Sequence, residues 1–293
     1  MLKHHWPSPQ KPNRVCILGG QGFVASAIAQ ALTARDIPLL RIGQKEIDLT
    51  AEKAGEQLAE RLHPEDVLIF VSAKAPCKSP QLLMDNLAMG RAVAEAIGKT
   101  PPAHLIYISS DAVYRDDLEL VREGDCAQPG SLHGAMHIAR EALLQAVCKM
   151  PLAILRPSLL YGAADPHNGY GPNRYMRATA AGQTITLFGE GEEQRDHILI
   201  ADVAEIVCRV VEQRSAGVLN IATGQSHSFR KVAETVVALF DTPVAIQGTP
   251  RQNPITHRHY DITACHKAFP DFHYTELRDG LLATHRQGMR PSK

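Results

Sequence analysis

The stretch Arg14 to Arg35, RVCIL-GGQG-FVASAIAQALTAR, decides the fold. A short apolar run, Arg14 to Leu18, leads into a turn holding Gly19, Gly20 and Gly22, and apolar residues then recur at helical spacing. That order predicts strand, tight turn and helix. Glycines in such a turn let the backbone bend sharply and approach a pyrophosphate, and the helix N-terminus offers unpaired N–H groups to its charge. A plain tight turn would also use glycine. The place of this one, opening the first βαβ unit, favours the dinucleotide reading, with Gly19, Gly22, Phe23 and Val24 at the cofactor. Ala25 stands where a last glycine is usual, a mild change where helix packs on sheet.

Outward from that turn the pattern repeats. IPLLRIG from Ile37, EDVLIFVSA from Glu65, AHLIYISS from Ala103, PLAILRPSLLYG from Pro151 and GVLNIATG from Gly217 read as strands, with helical patterns between them. Alternating strands and helices predict a parallel sheet covered on both faces, an α/β, Rossmann-like doubly wound fold. The stretches Ala163 to about Glu193 and about Thr242 to Pro254 are rich in Gly, Pro and Asn and predict a small C-terminal substrate-binding lobe. The expected division is a loose arm over 1–13, a dinucleotide-binding domain over 14–162, and a mainly substrate-binding lobe over 163–293, with about 195–240 returning to the first domain. A cleft between such lobes, at the carboxyl ends of the strands, is the expected ligand site.

The second strand ends in Arg41-Ile42-Gly43 without the carboxylate that usually holds the ribose 2′-hydroxyl of NAD. Arg41 can meet a 2′-phosphate, which leans the cofactor, NAD(P), toward NADP; it can equally be an exposed arginine. Asp48 and Leu49 are placed beside the adenine.

The 293 residues hold 31 Lys and Arg against 31 Asp and Glu, so bulk charge gives no reason to expect nucleic acid or an anionic membrane as partner. Six cysteines form no C-x-x-C and read as isolated thiols of a reducing compartment. No apolar run has the length of a membrane span, and the first residues carry no signal-peptide core, so the cytoplasm is the expected address.

Ser109-Ser110-Asp111-Ala112-Val113-Tyr114, Leu155-Arg156-Pro157, Pro172-Asn173, Gln194-Arg195-Asp196-His197, Asn220 to Gly224 and Arg258 to Asp261 follow the glycine turn in order. The chain thereby resembles the extended short-chain dehydrogenase/reductases, the NAD-dependent epimerase/dehydratase family that modifies nucleotide sugars. The resemblance covers nearly the whole chain after the arm. It implies a nucleotide-diphosphate sugar as substrate and a homodimer. It implies Ser110 as the hydroxyl on the reacting sugar oxygen, with Asp111 beside it, and Ser72, Ala73 and Lys74 at the cofactor. Asn173, Arg195 and Arg258 match positions that hold the substrate diphosphate, for which the planar guanidinium fork is suited. Ala112 replaces the second acid of the dehydratases, which disfavours dehydration. Epimerase or keto-reductase activity is the expected outcome.

SLHGAMHIARE, Ser131 to Glu141, departs from the family pattern. Aligned on Gly134, Arg140 and Glu141, the usual Y-x-x-x-K falls on His133 and His137. Three readings remain open. His133 replaces the tyrosine as acid/base, an imidazole being suited to proton exchange near neutral pH, and His137 bonds the ribose. Alternatively the protein is a dinucleotide-binding sensor or regulator without hydride transfer. The i, i+4 spacing also suits a metal, but no third ligand is evident, and none is expected.

Overall fold

The computed structural model describes residues 2–288. The chain opens with β1 (Lys3–His4), β2 (Val15–Leu18), α1 (Phe23–Thr33), β3 (Leu39–Ile42), α2 (Ala54–Arg61), β4 (Val67–Phe70) and α3 (Pro80–Lys99). It continues with β5 (His104–Ile108), a 3₁₀ turn (Asp111–Val113), β6 (Leu120–Val121), α4 (Leu132–Val147), β7 (Leu152–Pro157) and β8 (Leu159–Tyr161). Then come α5 (Pro172–Ala180), β9 (Ile185–Phe188), β10 (Gln194–Leu199), α6 (Ile200–Glu212), β11 (Ser215–Ile221) and β12 (Ser226–Ser228). Last are α7 (Phe229–Val237), β13 (Ile246–Thr249), β14 (His259–Tyr260), α8 (Thr263–Ala268) and α9 (Leu277–Gln287).

Seven strands form the central sheet in the order β1-β11-β7-β5-β4-β2-β3. All pairs are parallel except β1 with β11. β2, β4 and β5 are buried at every position, and apolar except for His104 at the start of β5, as strands covered on both faces must largely be. α1 and α6 cover one face with Ile28, Leu32, Val207 and Val211; α2, α3 and α4 cover the other with Leu58, Val93, Ile97 and Leu144. This is the doubly wound, Rossmann-like sheet. β2 has β3 on one side and β4 on the other, so the strand order reverses there, and ligands of such sheets bind at the carboxyl ends beside that point.

A separate core joins Tyr175 and Met176 of α5, Ile185 and Leu187 of β9, and Val232 and Val236 of α7. This second lobe carries the paired β9 and β13. Of the stretch 195–240, α6 and β11 pack with the main sheet, whereas β10 and β12 form a small sheet with β8. The stretch PLAILRPSLLYG is therefore two strands in two sheets.

The arm is not loose. Lys3 and His4 pair with Ala216 and Ser215, His4 Nδ1 lies 2.7 Å from Ser215 Oγ, and the Leu2 side chain is buried. The arm covers the edge of β11, which would otherwise present an open ladder. No helix among the described residues is long and apolar enough to cross a membrane.

Candidate active site

The turn after β2 brings three strand ends together. Gly19 has φ +136°, and a Cβ there would lie 3.2 Å from Val71 Cβ, at the end of β4. Gly20 has φ +53°, and its Cβ would lie 2.8 Å from Gly43 Cα, just past β3. Both positions need glycine for conformation and for space. Gly22 then starts α1 with no side-chain cap on its first N–H groups. α3, α4 and α7 differ: Ser79, Ser131 and Ser228 cap them. Uncapped N–H groups at a glycine cradle suit an anionic ligand.

A cleft of about 390 Å³ opens at these strand ends. Gly19, Gly22, Phe23, Val24, Ser72, Ala73, Ser110, His133, His137 and Asn173 all line it, from five separate parts of the chain. Arg41, Asp48, Leu49, Lys74, Asp111, Arg195 and Arg258 stand outside the lining. Arg41 donates from Nε to the Gly20 carbonyl at 3.0 Å and from Nη2 to Ser26 Oγ at 3.1 Å, bracing the glycine turn. The Asp48 carboxylate accepts from Thr50 N at 3.0 Å and Thr50 Oγ1 at 2.7 Å, which holds its pKa below the usual range. Lys74 reaches Asp85, Nζ to Oδ2 2.7 Å, while its amide donates to Asn86 Oδ1.

Ser110 caps the 3₁₀ turn by accepting from Ala112 N at 3.1 Å, and donates to Asp111 Oδ1 at 3.3 Å. Asp111 in turn accepts from Tyr260 OH at 2.6 Å and faces Arg258. Arg258 spends its guanidinium on Asp111, the Arg115 carbonyl and Asp116, deep in the fold. Arg195 donates to the carbonyl and hydroxyl of Thr256 at 2.6 and 2.8 Å and has no ion pair among the described residues. Burial and the nearby Arg258 charge lower its pKa. Asn173 donates to Asp165 Oδ2 at 2.7 Å and accepts from Gly162 N at 3.2 Å.

α4 delivers the two histidines. Gly134 lets the helix sit against the 3₁₀ turn: a Cβ there would be 1.9 Å from the Ala112 carbonyl oxygen. Beneath, Glu141 of α4 takes a bidentate pair from Arg156 of β7, at 3.0 and 2.5 Å, and accepts from Ser109 Oγ at 2.6 Å. Arg156 also donates to Tyr114 OH at 2.8 Å. This buried network fixes α4 to the strand ends that carry Ser110. The rings of His133 and His137 stand 4.8 Å apart, edge to face. His133 Nδ1 accepts a long bond, 3.4 Å, from the Cys77 amide. His137 Nδ1 lies 2.7 Å from Tyr107 OH. Burial depresses both imidazole pKa values, and the Arg140 charge adds to the effect; at His133, Asp111 opposes it. Both rings are neutral at neutral pH.

The sequence reading missed several groups of the site. Asp165 and His167 line the cleft from the loop before α5. Glu46 accepts from Gly43 N at 2.8 Å, placing a carboxylate next to the glycine turn. His197 lines the cleft, and both its ring nitrogens are buried without a hydrogen-bond partner. Strand alternation, which puts His197 on the face of Arg195, was the available signal. Tyr107 and Arg140, behind His137, carried no local signal. Among the described residues no group of three or more His, Cys, Asp or Glu side chains is arranged to hold a metal.

Residues 15–222 match the NAD dependent epimerase/dehydratase family. The dTDP-6-deoxy-L-talose 4-dehydrogenase (NAD(P)(+)) of Kitasatospora kifunensis is 25% identical over 305 residues, covering 95% of this chain and 93% of that protein. MoeE5 in complex with UDP-glucose and NAD superposes with TM-score 0.82 at 21% identity, over 93% of this chain and 97% of that one. UDP-N-acetylglucosamine 4-epimerase from Methanobrevibacter ruminantium M1, in complex with UDP-N-acetylmuramic acid, gives TM-score 0.80 at 22% identity, over 94% and 98%.

Proposed function

The chain belongs to the NAD-dependent epimerase/dehydratase family, and we propose that it acts within it as an NAD(P)-dependent epimerase or keto-reductase on a nucleotide-diphosphate sugar. The observation that carries this reading is the single cleft lined by the glycine turn, Ser110, His133 and His137 together. The cradle fits a dinucleotide: Gly19 and Gly20 leave backbone exposed where a Cβ would clash, and the first turn of α1 is uncapped. Gly19, Gly22, Phe23 and Val24 would hold the dinucleotide, with Ser72 and Ala73 lining the same cleft. Arg41 favours NADP by its charge at the adenosine end, with Glu46 as the competing carboxylate that would favour a free ribose diol. The cofactor supplies hydride exchange with a sugar carbon.

The chain's own residues manage the proton and the substrate. Ser110, already held by Ala112 N and Asp111, orients the sugar oxygen. His133, kept neutral by burial and by Arg140, would take the proton of a sugar hydroxyl on Nδ1, in place of its long bond from the Cys77 amide. That direction produces a keto group; the reverse needs the imidazolium and gains as pH falls. Asn173 and the unpaired Arg195 favour the diphosphate. Arg258, engaged with Asp111 and Asp116, acts from behind the site.

We place a second copy of the chain on the seam of α3 and α4, where Met84, Leu87, Ala88 and Leu143 line a groove together with Arg91, Ala139 and Arg140, and Met84 is 61% exposed. Six free cysteines support a reducing, cytoplasmic address.

The test is a matrix of UDP-, dTDP- and GDP-sugars against NAD⁺, NADP⁺ and their reduced forms, read by absorbance at the nicotinamide band and by sugar NMR. Turnover that disappears in His133→Ala supports the proposal. Dinucleotide binding without turnover on any sugar favours the sensor reading, since both the usual tyrosine and lysine positions are histidine.

A further inference from the structure

Arg140 is 1% exposed, and it has no carboxylate partner among the described residues. The other two arginines buried beside the cleft do: Arg156 pairs with Glu141, and Arg258 with Asp111 and Asp116. An unpaired buried charge is expensive, and a fold keeps one only where something compensates or uses it. Dipoles compensate here. Nε donates to the Asn86 carbonyl at 2.8 Å, Nη1 to the Ser72 carbonyl at 2.8 Å and Nη2 to Asn86 Oδ1 at 3.0 Å, and the guanidinium carbon lies 4.8 Å over the Phe70 ring. All its fixed partners are neutral, so the full charge remains in the site.

That charge faces the cleft through a short chain of contacts. Tyr107 and the Arg140 guanidinium both pack on the Phe70 ring, with centroid distances of 5.3 and 4.8 Å, the Tyr107 hydroxyl lies 2.7 Å from His137 Nδ1, and His137 stands 4.8 Å from His133. Ser72, whose carbonyl Arg140 holds, lines the cleft with both histidines. We propose that Arg140 and Tyr107 are the positioning pair of this site: Arg140 is its fixed cation, and Tyr107 couples that cation to His137, fixing the ring's tautomer. This rests on the reading of the cleft as an active site only for its purpose, not for its physics.

The charge balance around the two rings agrees. Arg140 of α4 acts on both rings, Asp111 of the 3₁₀ turn acts on His133, the Cys77 amide of the loop after β4 bonds His133, and Tyr107 of β5, which feels Glu141, bonds His137. Glu141 is neutralised by Arg156, and Asp111 is bonded to Tyr260 and Arg258. Arg140 is the one charge of the set without an opposing ion. With the guanidinium favouring the Tyr107 oxygen, the phenol O–H is directed to His137 Nδ1. His137 then carries its proton on Nε2, as a donor for a ligand oxygen.

The experiment is a long-range ¹H–¹⁵N NMR titration of the ligand-free protein, with the two rings assigned by His133→Asn and His137→Asn. Arg140→Gln is expected to raise both imidazole pKa values, because the cation that opposes their protonation is gone. Arg140→Lys retains most of the native value. Tyr107→Phe, which keeps the packing, turns His137 from the Nε2–H tautomer to a mixture. Unchanged imidazole pKa values in a folded Arg140→Gln protein overturn the proposal. If Arg140→Gln does not fold, an unchanged His137 tautomer in Tyr107→Phe overturns it alone. The shifts are read without turnover, so a protein that shows them but transfers no hydride loses the functional reading and keeps the pair.

Discussion

Gly134→Ala tests whether the placement of α4 governs the site. The added Cβ would lie 1.9 Å from the Ala112 carbonyl oxygen and 2.6 Å from Pro129 Cβ. Backbone cannot yield as a side-chain tip does, so the helix must retreat from the 3₁₀ turn by about 1.5 Å to restore an ordinary contact. Overpacking of this kind costs about 1–3 kcal/mol, a fall in Tm of a few degrees for a chain of this size. The larger effect is on geometry, because His133 precedes Gly134 directly and Ser110 precedes the turn being pushed. A misplacement of ~1 Å between reacting groups costs on the order of 100-fold in turnover. Gly124→Ala is the control, since no atom lies within 4 Å of its added Cβ. The assay pairs a thermal melt and dinucleotide titration with turnover on whichever sugar the matrix identifies. Turnover within twofold of the parent, in a protein whose melt has dropped as expected, would refute the reasoning.

Burial holds His104 at a pKa of about 4 and His197 at about 3. Their unfolded value is about 6.5, so below it the unfolded chain binds protons that the native state refuses, and stability falls as pH drops from about 6.5 toward 4. Between pH 7 and 5 each histidine costs about 2 kcal/mol, and His197→Phe should remove about half of the combined loss in urea unfolding; equal pH slopes would contradict it. Arg156→Met leaves Glu141 buried without its cation, bonded only to Ser109 Oγ, and should cost about 3–5 kcal/mol, with much of it recovered in Arg156→Met/Glu141→Leu; an additive double variant would deny the coupling. Met84→Glu places a charge in the α3–α4 groove and should convert a dimer to monomer by sedimentation; an unchanged dimer would move the interface elsewhere.

The core of the fold was legible where one contiguous stretch held all the information. Strand, glycine turn and helix over 14–35 follow from local spacing, and Ser110, His133, His137 and Asn173 meet in the cleft that their order anticipates. Pairings between distant segments were not legible. The arm reads as loose because its partner, Ser215–Ala216, is more than two hundred residues away and Lys3–His4 has no apolar alternation. Tyr107 reads as one more residue of a buried strand, and Arg140 as an alignment mark on a helix. Only the packed fold shows that the Tyr107 hydroxyl meets His137 and that Arg140 is buried without a carboxylate partner among the described residues. Ser110 carries two roles that sequence treats as alternatives, capping the 3₁₀ turn while lining the cleft.

The central claim is that this cleft holds a nicotinamide dinucleotide. The most direct measurement is to denature freshly purified protein and identify any released dinucleotide by chromatography and mass, followed by titration of the native protein with NAD⁺ and NADP⁺. The account predicts a dinucleotide, released or bound on titration, with NADP⁺ preferred through Arg41 and affinity lost in Gly20→Val. A protein that releases none and binds neither would contradict it.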